Sequence, residues 1–165
     1  MALYTGGDKT GKIITRSQVK AAPSSSVYYS SSSWGNNSAL PGGTSGLSIT
    51  TKKSSSTIMV EYYCSFHSGE TGSYFMDFDR KINNGSFVTT IVGVSSDNAE
   101  PGYGWGCDYG GHWHHSTYTY IDTPGHTAGD VLYYRMTFKV SGGNGAYVQY
   151  HGATVHGLIL QELEP

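Results

Sequence analysis

Val131-Leu132-Tyr133-Tyr134-Arg135-Met136-Thr137-Phe138-Lys139-Val140 is the stretch that decides the fold. Leu132, Tyr134, Met136, Phe138 and Val140 recur at every second position, and Tyr133, Arg135, Thr137 and Lys139 fill the gaps. Successive side chains of an extended strand point to opposite faces, so a period of two describes a strand with one face on a core. Antiparallel sheets carry this pattern because their other face meets water. Thr57 to Phe66 is more continuously apolar, as a central strand would be. Shorter strand-like runs fall at residues 13–19, 27–29, 47–51, 73–78, 86–94, 116–121, 146–150 and 155–160. Between them stand turn formers: Pro41-Gly42-Gly43, Asn83-Asn84-Gly85, Pro101-Gly102, Pro124-Gly125 and Gly142-Gly143-Asn144-Gly145. Asn84-Gly85, between residues 78–82 and 87–92, is the sharpest hairpin signal. No window shows helical periodicity with caps. About nine or ten short strands at such spacing predict an all-β antiparallel sandwich with jelly-roll-like character.

A chain of 165 residues fits one domain. We expect residues 13–165 to form it and residues 1–12 to be a leader or the stump of a shaft. At this length roughly 70% of the unfolded surface is buried, so the core needs no staple. Cys64, inside an apolar run, and Cys107, in a Gly-rich loop, are accordingly expected to be reduced. Net charge is −2 and pI about 6.3, which leaves no basic field for nucleic acid or anionic lipid. Only 13% of residues are charged, and 23 glycines and 14 tyrosines help fill their place. That surface suits a module meeting glycans, or one whose charge-poor faces are buried in an oligomer. No apolar run is long enough for a transmembrane helix, and Met1 to Thr10 lacks the apolar core of a secretory signal. The expectation is therefore a protein made in a cytosol and not inserted in a membrane. Val155 to Leu163 is expected to close the sheet with Glu162 and Glu164 in solvent.

Several motifs occur in a telling order. Gly11-Lys12-Ile13-Ile14 is followed by Gly46-Leu47-Ser48-Ile49-Thr50, then by Ser54-Ser55-Ser56 leading into Thr57-Ile58-Met59-Val60. Met76-Asp77-Phe78-Asp79-Arg80, Tyr120-Ile121-Asp122-Thr123-Pro124-Gly125 and Tyr133-Tyr134-Arg135-Met136 come next. Leu158-Ile159-Leu160-Gln161-Glu162-Leu163 closes the chain. From about Gly11 onward this order resembles a domain at the C-terminal ends of tail-fibre and related structural proteins of bacteriophages, especially cyanophages and other marine phages. The resemblance implies a virion location, contacts with other virion proteins, and a homotrimeric fibre tip that meets the host. It names no receptor. The chain departs from the family at Glu100–His115, where family loops are shorter and blander.

That departing segment holds the candidate site. In Gly102-Tyr103-Gly104-Trp105-Gly106-Cys107-Asp108-Tyr109-Gly110-Gly111-His112-Trp113-His114-His115, glycines let a ligand approach the backbone closely. Tyr103, Trp105, Tyr109 and Trp113 offer flat amphipathic faces for stacking, while Asp108, His112 and His114 add directed hydrogen bonds. The expected role is binding a bacterial surface glycan or an outer-membrane protein, against a bland alternative in which the aromatics only fill the end of the sandwich or a trimer interface. His112 and His114 share a face if extended, so a trimer axis would gather these pairs around one transition metal ion. Such an arrangement is similar to the His-x-His metal sites of T-even phage long tail fibres. Otherwise no cofactor is expected.

No complete catalytic set is present, and no enzymatic activity is expected. Gly6-Gly7-Asp8-Lys9-Thr10-Gly11-Lys12 has P-loop spacing up to the lysine, but Ile13 stands where magnesium needs a hydroxyl. Asp77 and Asp79 have the spacing of a hydrolytic carboxylate pair, and equally of a solvent face with Arg80 as partner. No Gly-x-Ser-x-Gly occurs. His67, His126, His151 and His156 are scattered and read as loop or interface residues. The alternatives to a receptor-binding tip are a structural virion protein, such as a head decoration or baseplate component, and a lectin-like module outside any virus.

Overall fold

The computed structural model describes residues 12–21, 27–38, 40–68, 73–93, 105–107, 113–141, 146–148 and 156–164, with the backbone alone for some strand-end residues. The expected leader, residues 1–12, lies outside them except for Lys12, and so does the P-loop-like stretch up to Gly11. In chain order the strands are β1 (Ile13–Ala21), β2 (Val27–Tyr29), β3 (Leu47–Thr50), β4 (Thr57–Ser68) and β5 (Ser73–Ile82), followed by β6 (Trp105–Cys107), β7 (Trp113–Asp122), β8 (Val131–Ser141), β9 (Ala146–Val148) and β10 (His156–Leu163). The described residues include no helix.

All strand pairings are antiparallel, and they build two facing sheets. β4 is central in one of them, as its continuous apolar run suggested. β7 lines one of its edges from Ile58↔Asp122 to His67↔Trp113. The other edge is shared: β10 takes residues 57–63 and β9 takes Phe66 to Ser68. β1 and β2 lie outside β10 and β9 respectively. The second sheet runs β3-β8-β5-β6.

The alternation read from β8 holds. Leu132, Tyr134, Met136, Phe138 and Val140 are all buried, and they meet Tyr74, Met76 and Phe78 of β5, Ile58, Val60, Tyr62 and Cys64 of β4, and Leu158 and Leu160 of β10. Full burial of side chains this large stabilises the fold by about 1.5–3 kcal/mol each. The opposite face of β8 differs from expectation, because Thr137 and Lys139 are buried as well. A segment including Trp34 and Gly35 runs over them. Gly35 and Phe138 exchange backbone hydrogen bonds of 2.9 and 2.7 Å, and the Lys139 ammonium sits over the Trp34 and Phe75 rings.

Asn84-Gly85 does turn the chain: Gly85 donates its N–H to the Ile82 carbonyl at 3.0 Å, and Asn83 takes φ 50°. The return is shorter than the predicted run of residues 86–94. Val88 pairs with Arg80, and then Thr90 at φ 53° bends the backbone out of strand geometry. Ile91 still donates to the Phe78 carbonyl at 2.8 Å.

β10 holds one further correction. Glu162 is fully buried, not in solvent. Its carboxylate accepts the N–H groups of Lys52 and Lys53 at 2.9 Å and the Ser56 hydroxyl at 2.8 Å. The β3–β4 turn supplies enough donors to replace water around the charge. Glu164 keeps its expected contact with water and pairs with Lys53 at 2.7 Å. At the other end of β10, Gly157 faces Tyr63 across the ladder, and the Tyr63 ring lies where a Cβ would stand.

Candidate binding site

Of the residues singled out from sequence, Tyr103, Asp108, Tyr109 and His112 lie outside the described residues. Trp105 opens β6, while Trp113 and His114 open β7, and their backbone register is clear. Trp105 pairs with Met76 and Cys107 with Tyr74, on the outer edge of the four-stranded sheet. Trp113 pairs with His67 and His114 with Phe66, on the edge of the six-stranded sheet. The stretch from Trp105 to Trp113 therefore passes from one sheet to the other at a single end of the sandwich. A short β6 inside that Gly-rich stretch was not foreseen, because glycine carries no strand signal.

Two more connections cross between the sheets at this end. β4 stops at Ser68 and β5 begins at Ser73, and β8 stops at Ser141, opposite Ser73, before β9 begins at Ala146, opposite Ser68. Residues 69–72 read Gly-Glu-Thr-Gly and residues 142–145 read Gly-Gly-Asn-Gly. Three inter-sheet connections thus converge where β6 hands over to β7.

The same end brings together residues that sequence reading left scattered. Tyr28 pairs with Tyr147, Tyr147 with His67, and His67 with Trp113, which makes one line across β2, β9, β4 and β7. The Tyr28 and Tyr147 rings lie 5.0 Å apart with planes inclined at 53°, and Tyr28 is 48% exposed. One level further along, Ser65 pairs with His115. His115 is exposed, whereas Ser65 is buried and its hydroxyl lies 3.4 Å from Nε2 of buried His156. Burial, and then the neighbouring His115 charge, lowers the His156 pKa from 6.5 to about 4. Only the strand register could reveal this line, since its members are up to 119 positions apart (Tyr28 to Tyr147).

The carboxylates singled out from sequence do other work. Asp77 and Asp79 are buried, not on a solvent face. Asp77 accepts the Val92 N–H at 2.9 Å, and Asp79 accepts the Thr90 N–H at 3.2 Å and Nε of Arg135 at 3.0 Å. Both hold the segment that leaves the Asn84-Gly85 turn against β5. Arg80 is not their partner. It turns between the sheets and holds both carboxylate oxygens of Asp122 at 2.7 Å, while the Tyr134 hydroxyl donates to Asp122 at 2.7 Å.

Cys64 is a free thiol in the core, and burial pushes its pKa up, away from reactive thiolate. Among the described residues no three His, Cys, Asp or Glu side chains come together as a metal site. The His112/His114 pair lies partly beyond them. No helix of the described residues is long and apolar enough to cross a membrane. Compared with protein-family models and with curated protein sequences, the chain finds no match.

Proposed function

We propose that this chain is a virion attachment module of the tail-fibre-tip kind. In this reading it binds a bacterial surface glycan or outer-membrane protein through one end of its sandwich and catalyses no reaction. The observation that carries the proposal is the handover from β6 to β7. It brings the aromatic and histidine-rich stretch to the end where the 69–72 and 142–145 connections also cross. Loops carried on a rigid sheet scaffold are the usual place for recognition. Tyr103, Trp105, Asp108, Tyr109, His112, Trp113 and His114 are the proposed receptor contacts.

The strand order supports a jelly roll. β9 and β10 run in one direction along the same edge of β4, as do β1 and β2 one place further out. With each pair counted as one interrupted strand, the sheets become β1/β2-β10/β9-β4-β7 and β3-β8-β5-β6, the order of an eight-stranded double Greek key. A homotrimer would multiply weak contacts into useful avidity at a cell surface, and would put His112 and His114 near an axis where a transition metal can be shared.

Labelled protein is expected to bind host cells, and Tyr109→Ala/His112→Ala and Trp105→Ala/Trp113→Ala variants are expected to lose that binding. Variants that fold and bind like the parent would overturn the site. Sedimentation should give three times 17.8 kDa, and a monomer would remove the trimer. Reducing-sugar release from host polysaccharide would defeat the non-catalytic assignment.

A further inference from the structure

We infer that the line Tyr28–Tyr147–His67–Trp113 is a binding platform for an uncharged polysaccharide lying across the strands. This inference rests on the attachment reading and names the ligand class for it. Its basis is register: these four residues stand at one level of four adjacent strands, β2, β9, β4 and β7. Neighbouring strands lie about 4.8 Å apart, close to the advance per residue of an extended pyranose chain. A glycan perpendicular to the strands would therefore meet one residue of the line with each sugar.

The chemistry of the line suits sugars. Tyrosine and tryptophan offer a ring face to the C–H face of a pyranose, and a phenol or imidazole at the margin to its hydroxyls. Tyr28 and Tyr147 make the described half of the platform. Their ring planes are inclined at 53°, Tyr28 is 48% exposed and Tyr147 is half-buried. Among the described residues, neither this level nor the Ser65–His115 level beside it contributes a carboxylate or an ammonium group. An acidic glycan would meet at most the imidazoles of His67 and His115 there, whereas a neutral one needs no counter-ion. Trp113 belongs both to the line and to the receptor stretch, so a chain on this platform would continue toward the β6–β7 connection.

The test is affinity electrophoresis of the full chain through native gels containing dextran, galactomannan, mannan or β-glucan, with alginate as the acidic control. At least one neutral polymer is expected to retard the protein. Tyr28→Ala/Tyr147→Ala should weaken that retardation about tenfold, and Tyr28→Phe/Tyr147→Phe should largely keep it. If the double alanine variant loses cooperative unfolding, Tyr28→Ser alone, at a half-exposed position, reads the same effect. Retardation by no neutral polymer, by alginate only, or equally for parent and alanine variants overturns the inference.

Host-cell binding separates this failure from that of the attachment reading. Tyr28→Ala/Tyr147→Ala that binds cells normally, beside Tyr109→Ala/His112→Ala that does not, removes the platform and leaves the module. Cell binding abolished by proteinase treatment of the cells but not by periodate oxidation of their sugars means a protein receptor, and also overturns the platform. Absence of all cell binding removes the attachment reading itself.

Discussion

Where β7 turns into β8, side chains close nearly every gap between turns; where β6 turns into β7, the chain spends glycine and aromatic residues instead. At the first end Thr51 donates its hydroxyl to the Thr127 carbonyl at 2.9 Å, and Ser54 accepts the Ala128 N–H at 3.0 Å. Asn83 accepts the Val131 N–H and donates to Asp130, both at 2.8 Å. The Asp130 carboxyl is held below its ordinary range by the Thr127 N–H and then by Asn83. His126 and Glu162 share Ser56 beneath the β3–β4 turn. The opposite end carries Gly-Glu-Thr-Gly, Asp-Tyr-Gly-Gly-His and Gly-Gly-Asn-Gly between its strands. The difference teaches a division of labour. One end uses its polar side chains to satisfy its own backbone; in the attachment reading proposed above, the sequence of the other end supplies the contacts for an outside partner.

The strongest way to break this comparison is Glu162→Ala. It strands the part-buried N–H groups of Lys52 and Lys53 and takes one partner from the Ser56 hydroxyl, which keeps His126 and the Lys53 carbonyl, and should cost about 3 kcal/mol in denaturant unfolding. A loss below about 1 kcal/mol would mean that the braced end does not depend on its buried carboxylate.

A second measurement uses pH. Because the folded-state pKa of His156 is lowered to about 4 from 6.5, the unfolded chain takes up a proton in that window and the folded chain does not. Stability is therefore full above pH 6.5 and falls as pH drops toward 4, by on the order of 2–3 kcal/mol. His156→Leu should flatten the profile between those limits; an unchanged slope would assign the effect elsewhere.

Tyr134→Phe removes one donor from Asp122 while the paired Arg80 remains, and is expected to cost about 1 kcal/mol. The smallest effect on stability belongs to the end proposed to bind the receptor. Tyr109→Ala/His112→Ala should leave the unfolding free energy within about 0.5 kcal/mol while abolishing cell binding. A large stability loss there would mean that the β6–β7 connection braces the fold as the opposite end does.

Much of the fold was legible in the sequence because burial and strand period coincide. β8 could be read face by face, and β4 could be recognised as central from its unbroken apolar run. The turn at Asn83-Asn84-Gly85 was legible for a local reason, since asparagine tolerates the positive φ that Asn83 takes. Its return arm was not, because the bend at Thr90 is held by Asp77 and Asp79, whose partners come from the fold. The same limit misplaced Glu162. A glutamate near a chain end reads as solvated until a remote turn is seen to supply its donors.

Composition and alternation by themselves determined an antiparallel all-β chain with its core residues in register, because these depend on local geometry and on keeping apolar surface from water. They also marked the stretch from Gly102 to His115 as chemically unlike the rest. Only the tertiary structure decided which edge each strand occupies, that Arg80 answers Asp122 and not its chain neighbours, and that Tyr28, Tyr147, His67 and Trp113 form one line. Strand pairing joins residues far apart in the chain, and no local preference encodes those partners.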